Sequence, residues 1–336
     1  MTPLWLGGGF LYGFGLGQDL LASHSFHVMD VARVLLDTVD ERFLVVGLDD
    51  PSTFTFDSLL HVHLLGRVGP ALASSPAGFG ESLETAALRV YLTGEVQVEL
   101  GDRLVRESRL GGPQGRFVLV YLATERKRAV AQSELAEALW PESVPASWPL
   151  AISAIVSRLR SRLAGLGLER SRIIGNAFGC YQFSPPPQTW IDVEAALLGV
   201  DEAEGALAVG KPQSAYGPSL IATTILRRPF LPGDDGAWAE GRRAVLADAL
   251  VRALECRVEA LAANDELELA ISHAREVVRL DPYRESGYRR LMRMLERKGE
   301  RAEATRVYLE CVRLLKNELG VAPSEETQAV YREVAG

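Results

Sequence analysis

The segment SELAEALWPESVPASWPLAISAIVSRLRSRL, residues 133–163, reads as helix, proline-rich break, helix. In its second half, Arg158, Arg160 and Arg162 stand within five positions. At 100° per residue, Ile152, Val156, Leu159 and Leu163 fall in one arc, the stripe of a helix that packs on a core. Arg158 and Arg162 lie on one flank of that stripe with Ala151 and Ile155, and Arg160 lies on the other. In isolation, solvation and the negative end of the helix dipole account for such arginines.

The flanking sequence changes that reading. Downstream, IIGNAFGCYQF (residues 173–183) gives two short β runs around a Gly/Asn turn, a hairpin by its chemistry. Upstream, LRVYLTGEVQVEL (88–100) has apolar residues at Val90, Leu92, Val96, Val98 and Leu100, a two-strand pattern around Gly94. A helix is predicted from about Gly115 to Ala123. Strands, three helices and a hairpin, in that order, put Ala151–Leu163 at the recognition position of a winged helix-turn-helix. There the second helix of the motif enters the major groove and the hairpin approaches neighbouring phosphates. The residues expected to face DNA are Ser153, Ser157, Arg158, Arg160 and Arg162, with Arg170 and Arg172 beside the wing. Lys127 and Arg128 read as a solvated turn and Trp140 as a core aromatic.

Charge is divided to match. The chain is −8 overall, yet residues 88–185 carry 13 basic against 9 acidic side chains. Residues 1–87 carry 3 against 10, and residues 186–336 carry 20 against 25. The basic middle is where an anionic partner is expected.

From Ile191 onward the sequence is almost wholly helical. Segments starting at Leu254 and Tyr288 align at a spacing of 34 residues, pairing Leu261 with Leu295, Asp265 with Gly299, Ala270 with Ala304 and Val277 with Cys311. That period, with small residues at close-packing positions and Pro282 between units, is a tetratricopeptide signature. Helices at Asp192–Val209 and Trp238–Leu254 extend the stack.

The rest of the sequence narrows the classes. Cys180, Cys256 and Cys311 are far apart and read as buried thiols in a reducing cytoplasm. The apolar start, MTPLWLGGGFLYGFGLGQDLL, lacks a basic leader and is broken by Gln18 and Asp19, so neither a signal peptide nor a membrane helix is expected. Residues 26–41 read as a helix and 42–48 as a strand, and Gly69–Ala87 has the composition of a flexible linker. The His61/His63 pair lacks further ligands, so no metal or other cofactor is expected. The sequence has no P-loop, GxGxxG, GxSxG or HExxH, and no enzymatic activity is expected.

Residues 88–336 resemble the SARP-type regulators, the Streptomyces antibiotic regulatory protein family. The resemblance rests on FVLVYLATERKRAVAQSELAEALWPESVPASW, VSRLRSRL and the GCYQF wing, which look like an OmpR-type winged helix. It rests equally on FLPGDDGAWAEGRRAVLADAL and the ending LLKNELGVAPSEET, which resemble the bacterial transcriptional activator domain. The resemblance implies a mainly α fold with a small β component, a winged helix-turn-helix followed by a tetratricopeptide-like repeat domain. It divides the chain into an unassigned region at 1–87 (linker 69–87), a winged-helix DNA-binding domain at 88–185 and an activator domain at 186–336. It implies promoter binding to double-stranded DNA and recruitment of RNA polymerase, with Glu142 and Trp148 as polymerase contacts. The helical repeats would support a homo-oligomer or a protein partner, and Trp238, Arg242 and Arg243 would fix the first helices of the activator domain.

The sequence departs from the family pattern at three points. Ala151, Ala154 and Ile155 stand where groove-facing polar residues are usual. Ser133 would have to cap the preceding helix from a shifted position, and G-C-Y replaces G-Y in the wing. The alternative is a tetratricopeptide-type adaptor with a degenerate winged helix, favoured if Ala151 and Ile155 form an apolar groove occupied by residues 1–87.

Overall fold

The computed structural model describes residues 88–336, together with strands β1 (Leu4–Leu6) and β2 (Gly9–Leu11). The chain divides into two units, Met1–Leu83 and Glu84–Gly336. In the first, β1 and β2 pair antiparallel. The expected helix at 26–41, the strand at 42–48, the His61/His63 pair and the linker lie outside the described residues.

The second unit opens on a four-stranded sheet rather than a two-stranded one. Strands β3 (Leu88–Tyr91), β4 (Gln97–Leu100) and β5 (Arg103–Arg106) form an antiparallel meander. The third strand, RLVR, has charged ends and one buried side chain, Val105, too short an alternation to register as a pattern. Helix α1 (Gly112–Thr124) then crosses the core, with Phe117 to Ala123 all buried. It approaches the chain before it so closely that a Cβ on Gly115 would lie 2.0 Å from the Leu110 carbonyl oxygen. Strand β6 (Val130–Ala131) leads into α2 (Gln132–Leu139), and α3 spans Trp148–Ala164. A single helical turn, α4 (Arg170–Ile173), precedes the wing strands β7 (Ile174–Ala177) and β8 (Cys180–Phe183). The wing sheet runs β6-β8-β7.

The expected Gly/Asn turn of the wing is corrected. Gly175 and Asn176 lie in β7, and the reversal is made by Phe178 and Gly179, both at positive φ (52° and 73°). Ser133 does not cap α2, which has no side-chain cap. Instead the Gln132 N–H donates to the Gly179 carbonyl at 3.0 Å, so the wing turn itself satisfies the helix start.

Strand β9 (Trp190–Ile191) adds to the first sheet parallel to β3 and runs directly into α5 (Asp192–Ala208). The fully buried Asp192 carboxylate fixes this junction. It accepts from the Leu92, Thr93 and Val193 N–H groups and the Thr93 hydroxyl at 2.7–2.9 Å. Then follow α6 (Tyr216–Leu226), α7 (Ala237–Ala263), α8 (Leu267–Leu280), α9 (Glu285–Arg297), α10 (Arg301–Leu314) and α11 (Glu325–Ala335), the last capped by Ser324. The sequence gives no periodic signal for α6, because it is apolar on most faces and buried.

The 34-residue repeat is structural. Leu261, Leu295, Ala270, Ala304, Val277 and Cys311 are all fully buried. Asp265 and Gly299 occupy the same left-handed turn position, at φ 62° and 86°. Matching N–H to carbonyl bonds close both turns, Glu266 to Leu261 and Glu300 to Leu295, at 2.9 and 2.8 Å. Cys256 and Cys311 are buried, and burial pushes their thiols up to about 12 and about 11. Cys180 departs from expectation and is half-buried on the wing.

Candidate nucleic-acid interface

The helix α3 is set by its aliphatic side. Ile152, Ile155, Val156, Leu159 and Leu163 are buried beneath α1 and α2. Ile155 is only 2% exposed, which corrects its placement on a groove-facing flank. The apolar groove that Ala151 and Ile155 were to form is therefore absent. The outward face carries Leu150 (77% exposed), Ala154, Ser157, Arg158, Ser161 and Arg162, a strip of small side chains edged by cations. Leu150 and Ser161 were not identified from the sequence. Once Ile155 is placed in the core, the wheel turns and brings both to the centre of the exposed arc.

Arg158 and Arg162, one turn apart, are exposed and make no ion pair or hydrogen bond among the described residues. Arg160 behaves otherwise. Its Nε and a terminal nitrogen donate to the Ile174 carbonyl at 2.9 and 2.6 Å, and the guanidinium lies 5.9 Å from the Tyr181 ring centroid. This half-buried arginine fastens α3 to the base of the wing. Arg170, exposed on α4, donates to the Ser161 hydroxyl, which in turn donates to the Ser157 carbonyl at 2.9 Å. Arg172 pairs with Glu169 at 2.9 Å and remains 81% exposed. Ser153 is exposed but sits roughly 140° round the helix from Arg158, at the edge of the strip.

The connection between α2 and α3 is long and exposed, and it carries Glu142 and Val144 to solvent. Trp148 is half-buried and packs on the core at the start of α3, and Trp140 does the same at the end of α2.

The support beneath the helices is charged as well as apolar. Arg128 is not a solvated turn residue, since it donates to Glu125 at 2.9 Å and to Glu134 at 3.0 Å. The Arg128 guanidinium holds the Glu134 carboxyl below the usual carboxylate range, and Tyr121 donates its hydroxyl to the same group at 2.7 Å. Arg126 makes a two-pronged contact with Glu194 of α5, both bonds at 2.6 Å, and Arg242 of α7 reaches Glu125. Trp238 lies among Phe117, Tyr121 and Phe230, with ring centroids 4.4–6.1 Å away. It thus fastens the α1 side to α7. Arg243 binds the backbone carbonyls of Leu231 and Asp234 at 3.1 and 2.6 Å, bracing the segment before α7.

Comparison with known proteins places this architecture. The bacterial transcriptional activator domain matches residues 191–335. Regulatory protein AfsR of Streptomyces coelicolor is 29% identical over 256 residues, covering 76% of this chain and 25% of that protein. Transcriptional regulator RedD of the same species is 26% identical over 271 residues, covering 78% of this chain and 75% of RedD. The chain thus carries a bacterial transcriptional activator domain and is similar to the SARP-type transcriptional regulators. A solved structure of Mycobacterium tuberculosis EmbR, in complex with a low-affinity phosphopeptide, shares the fold with this chain. The TM-score is 0.68 at 25% identity, covering 74% of this chain and 65% of that one. The chain spans about a quarter of the length of AfsR. Its fold is the one the resemblance implied, mainly α with a small β component, a winged helix followed by helical repeats. Among the described residues no helix is long and apolar enough to cross a membrane, and no group of three or more His, Cys, Asp or Glu side chains is placed to hold a metal ion.

Proposed function

We propose that this chain binds double-stranded promoter DNA through a winged-helix unit at 88–185, with α3 in the major groove, and acts as a transcriptional activator. The observation that carries this reading is the outward face of α3. Two unpartnered arginines edge a strip of small side chains on a helix whose opposite side is locked into the core. Small residues let the helix backbone approach base edges closely. Ser157 offers a hydroxyl, Leu150 and Ala154 offer methyl contact to thymine, and Arg158 and Arg162 supply phosphate or guanine contacts. Arg170 and Arg172 extend the cationic edge toward the wing. Ser153 lies at the periphery, and Arg160 serves as a positioning residue rather than a phosphate ligand.

The exposed connection before α3, with Glu142 and the adjacent Trp148, is the proposed contact for RNA polymerase. The helical unit at 186–336 is proposed to hold a protein partner or a second copy of the chain. Burial of Ile155 removes the feature that favoured the adaptor reading.

Binding of the full chain to random-sequence duplex DNA across a salt series tests the proposal. Affinity is expected to fall steeply with salt. Arg158→Ala/Arg162→Ala is expected to weaken binding and to reduce the log–log salt slope by about 2. No binding at low salt would overturn it.

A further inference from the structure

The wing is uncharged. From Ile174 to Phe183 it contains no Lys, Arg, Asp or Glu, although it adjoins a helix with two free arginines. The hairpin therefore offers no cation for counterion release at phosphates. At its tip stands Phe178, 104% exposed. Its backbone is left-handed, at φ 52°, in a two-residue reversal between Ala177 and Cys180. Such a turn favours Asn, Asp or Gly at that position, and a bulky side chain is strained there. An aromatic ring held out in solvent on a strained turn serves neither the core nor the turn.

We infer that Phe178 is a wedge that enters the minor groove beside the site occupied by α3 and partly unstacks a base step. The inference rests on the DNA-binding reading above. Three features support it. Arg160 clamps the Ile174 carbonyl, so the wing keeps a fixed position relative to α3. The Gln132 to Gly179 bond and the Ala131–Cys180 pairing brace the tip from behind. The four residues of β7 carry the tip roughly 13 Å beyond the clamp, comparable with the ~17 Å half-turn that separates a major groove from the next minor groove. Apolar side chains inserted from the minor groove are a recognised way to kink a duplex, and they need no charge.

The test uses the full chain with two DNA probes, random-sequence duplex for affinity and relaxed closed-circular plasmid with topoisomerase for unwinding. Phe178→Asn relaxes the turn, so misfolding is not expected. The wild type should change the plasmid linking number. Phe178→Asn should abolish that change and weaken duplex binding about tenfold, with the salt slope unaltered because no charge is removed. Phe178→Leu, still an apolar wedge, should keep part of the linking change. Wild-type binding without a linking change, or a Phe178→Asn variant that keeps both affinity and linking change, would overturn the wedge while leaving DNA binding intact. Failure of the wild type to bind duplex at low salt would overturn both readings.

Discussion

Arg160 and its neighbours at 158 and 162 look equivalent on paper, yet their surroundings give them different work. The Arg160 guanidinium is held against the base of the wing by two N–H bonds to the Ile174 carbonyl. It lies on the opposite flank of the helix from Arg158 and Arg162, so its remaining donors do not lie on the exposed strip. Arg160→Ala is therefore expected to leave the salt slope of DNA binding almost unchanged while speeding hydrogen exchange in β7 and β8. Loss of slope equal to that of Arg158→Ala would show that Arg160 contacts phosphate after all. Phe178 poses the opposite case, a residue that disfavours its own backbone. Replacing it with Asn removes strain of about 1 kcal/mol, which in a unit of this size raises the Tm by about 2–4 °C. Thermal melting of the two proteins side by side checks this, and an unchanged or lowered Tm would mean the turn is not strained.

Where α6, α7 and α8 meet, Glu276 on α8 receives Arg227 through two bonds, at 3.2 and 2.6 Å, and lies 3.4 Å from His273. Burial pushes its carboxyl up, but hydrogen bonds from His273 and Arg227 outweigh that and hold it at about 2, against an ordinary 4.5. Because the folded value is the lower one, the stabilisation is complete above the unfolded pKa. It is lost as pH falls from about 5 toward 2, and amounts to at most about 3 kcal/mol. Urea unfolding of wild type and Glu276→Gln at pH 7 and pH 3 should show a stability gap that narrows at the lower pH. A gap independent of pH would mean that the carboxylate's charge does not tie these helices together.

Across the whole second unit, the buried core does not stop at 185/186. One continuous set of buried side chains runs from Leu88 through α3 to Leu254. Trp238 packs on Phe117 and Tyr121, and Arg126 and Arg242 bridge the same seam. The winged-helix part and the first helices of the activator part are therefore expected to move together. Removing the ring with Trp238→Ala should cost about 2–3 kcal/mol. In the wild type, slow amides of α1 and α7 should exchange with a common opening free energy, and the variant should separate them. Separate free energies in the wild type would show that the two parts open independently.

Much of this was legible in the residues. The aliphatic stripe of α3, the alternation of β3 and β4, and the 34-residue pairing of Leu261 with Leu295 and Asp265 with Gly299 are local or periodic signals. Burial of one face and the conformational needs of a turn impose them directly on the residue types. These signals determined the mainly α class, the winged helix followed by repeats, and the helix on which the free arginines lie. Other features depend on what each segment meets in space. Ile155 joins the core because α1 and α2 cover a wider arc than the stripe alone shows, and that rotates Leu150 and Ser161 outward. Arg160 leaves the cationic set because the Ile174 carbonyl comes within reach only when the wing folds back. The wing turns at Phe178 rather than at Gly175–Asn176 because pairing of β8 with β6 fixes the register, overriding the local preference. The sequence by itself determined the β3–β4 pair, the helices that carry a periodic stripe, the wing and their order, whereas β5, β9 and α6 became visible only in the fold. The tertiary structure alone decided which arginines are free and where the aromatic tip stands, because both depend on contacts between segments far apart in the chain.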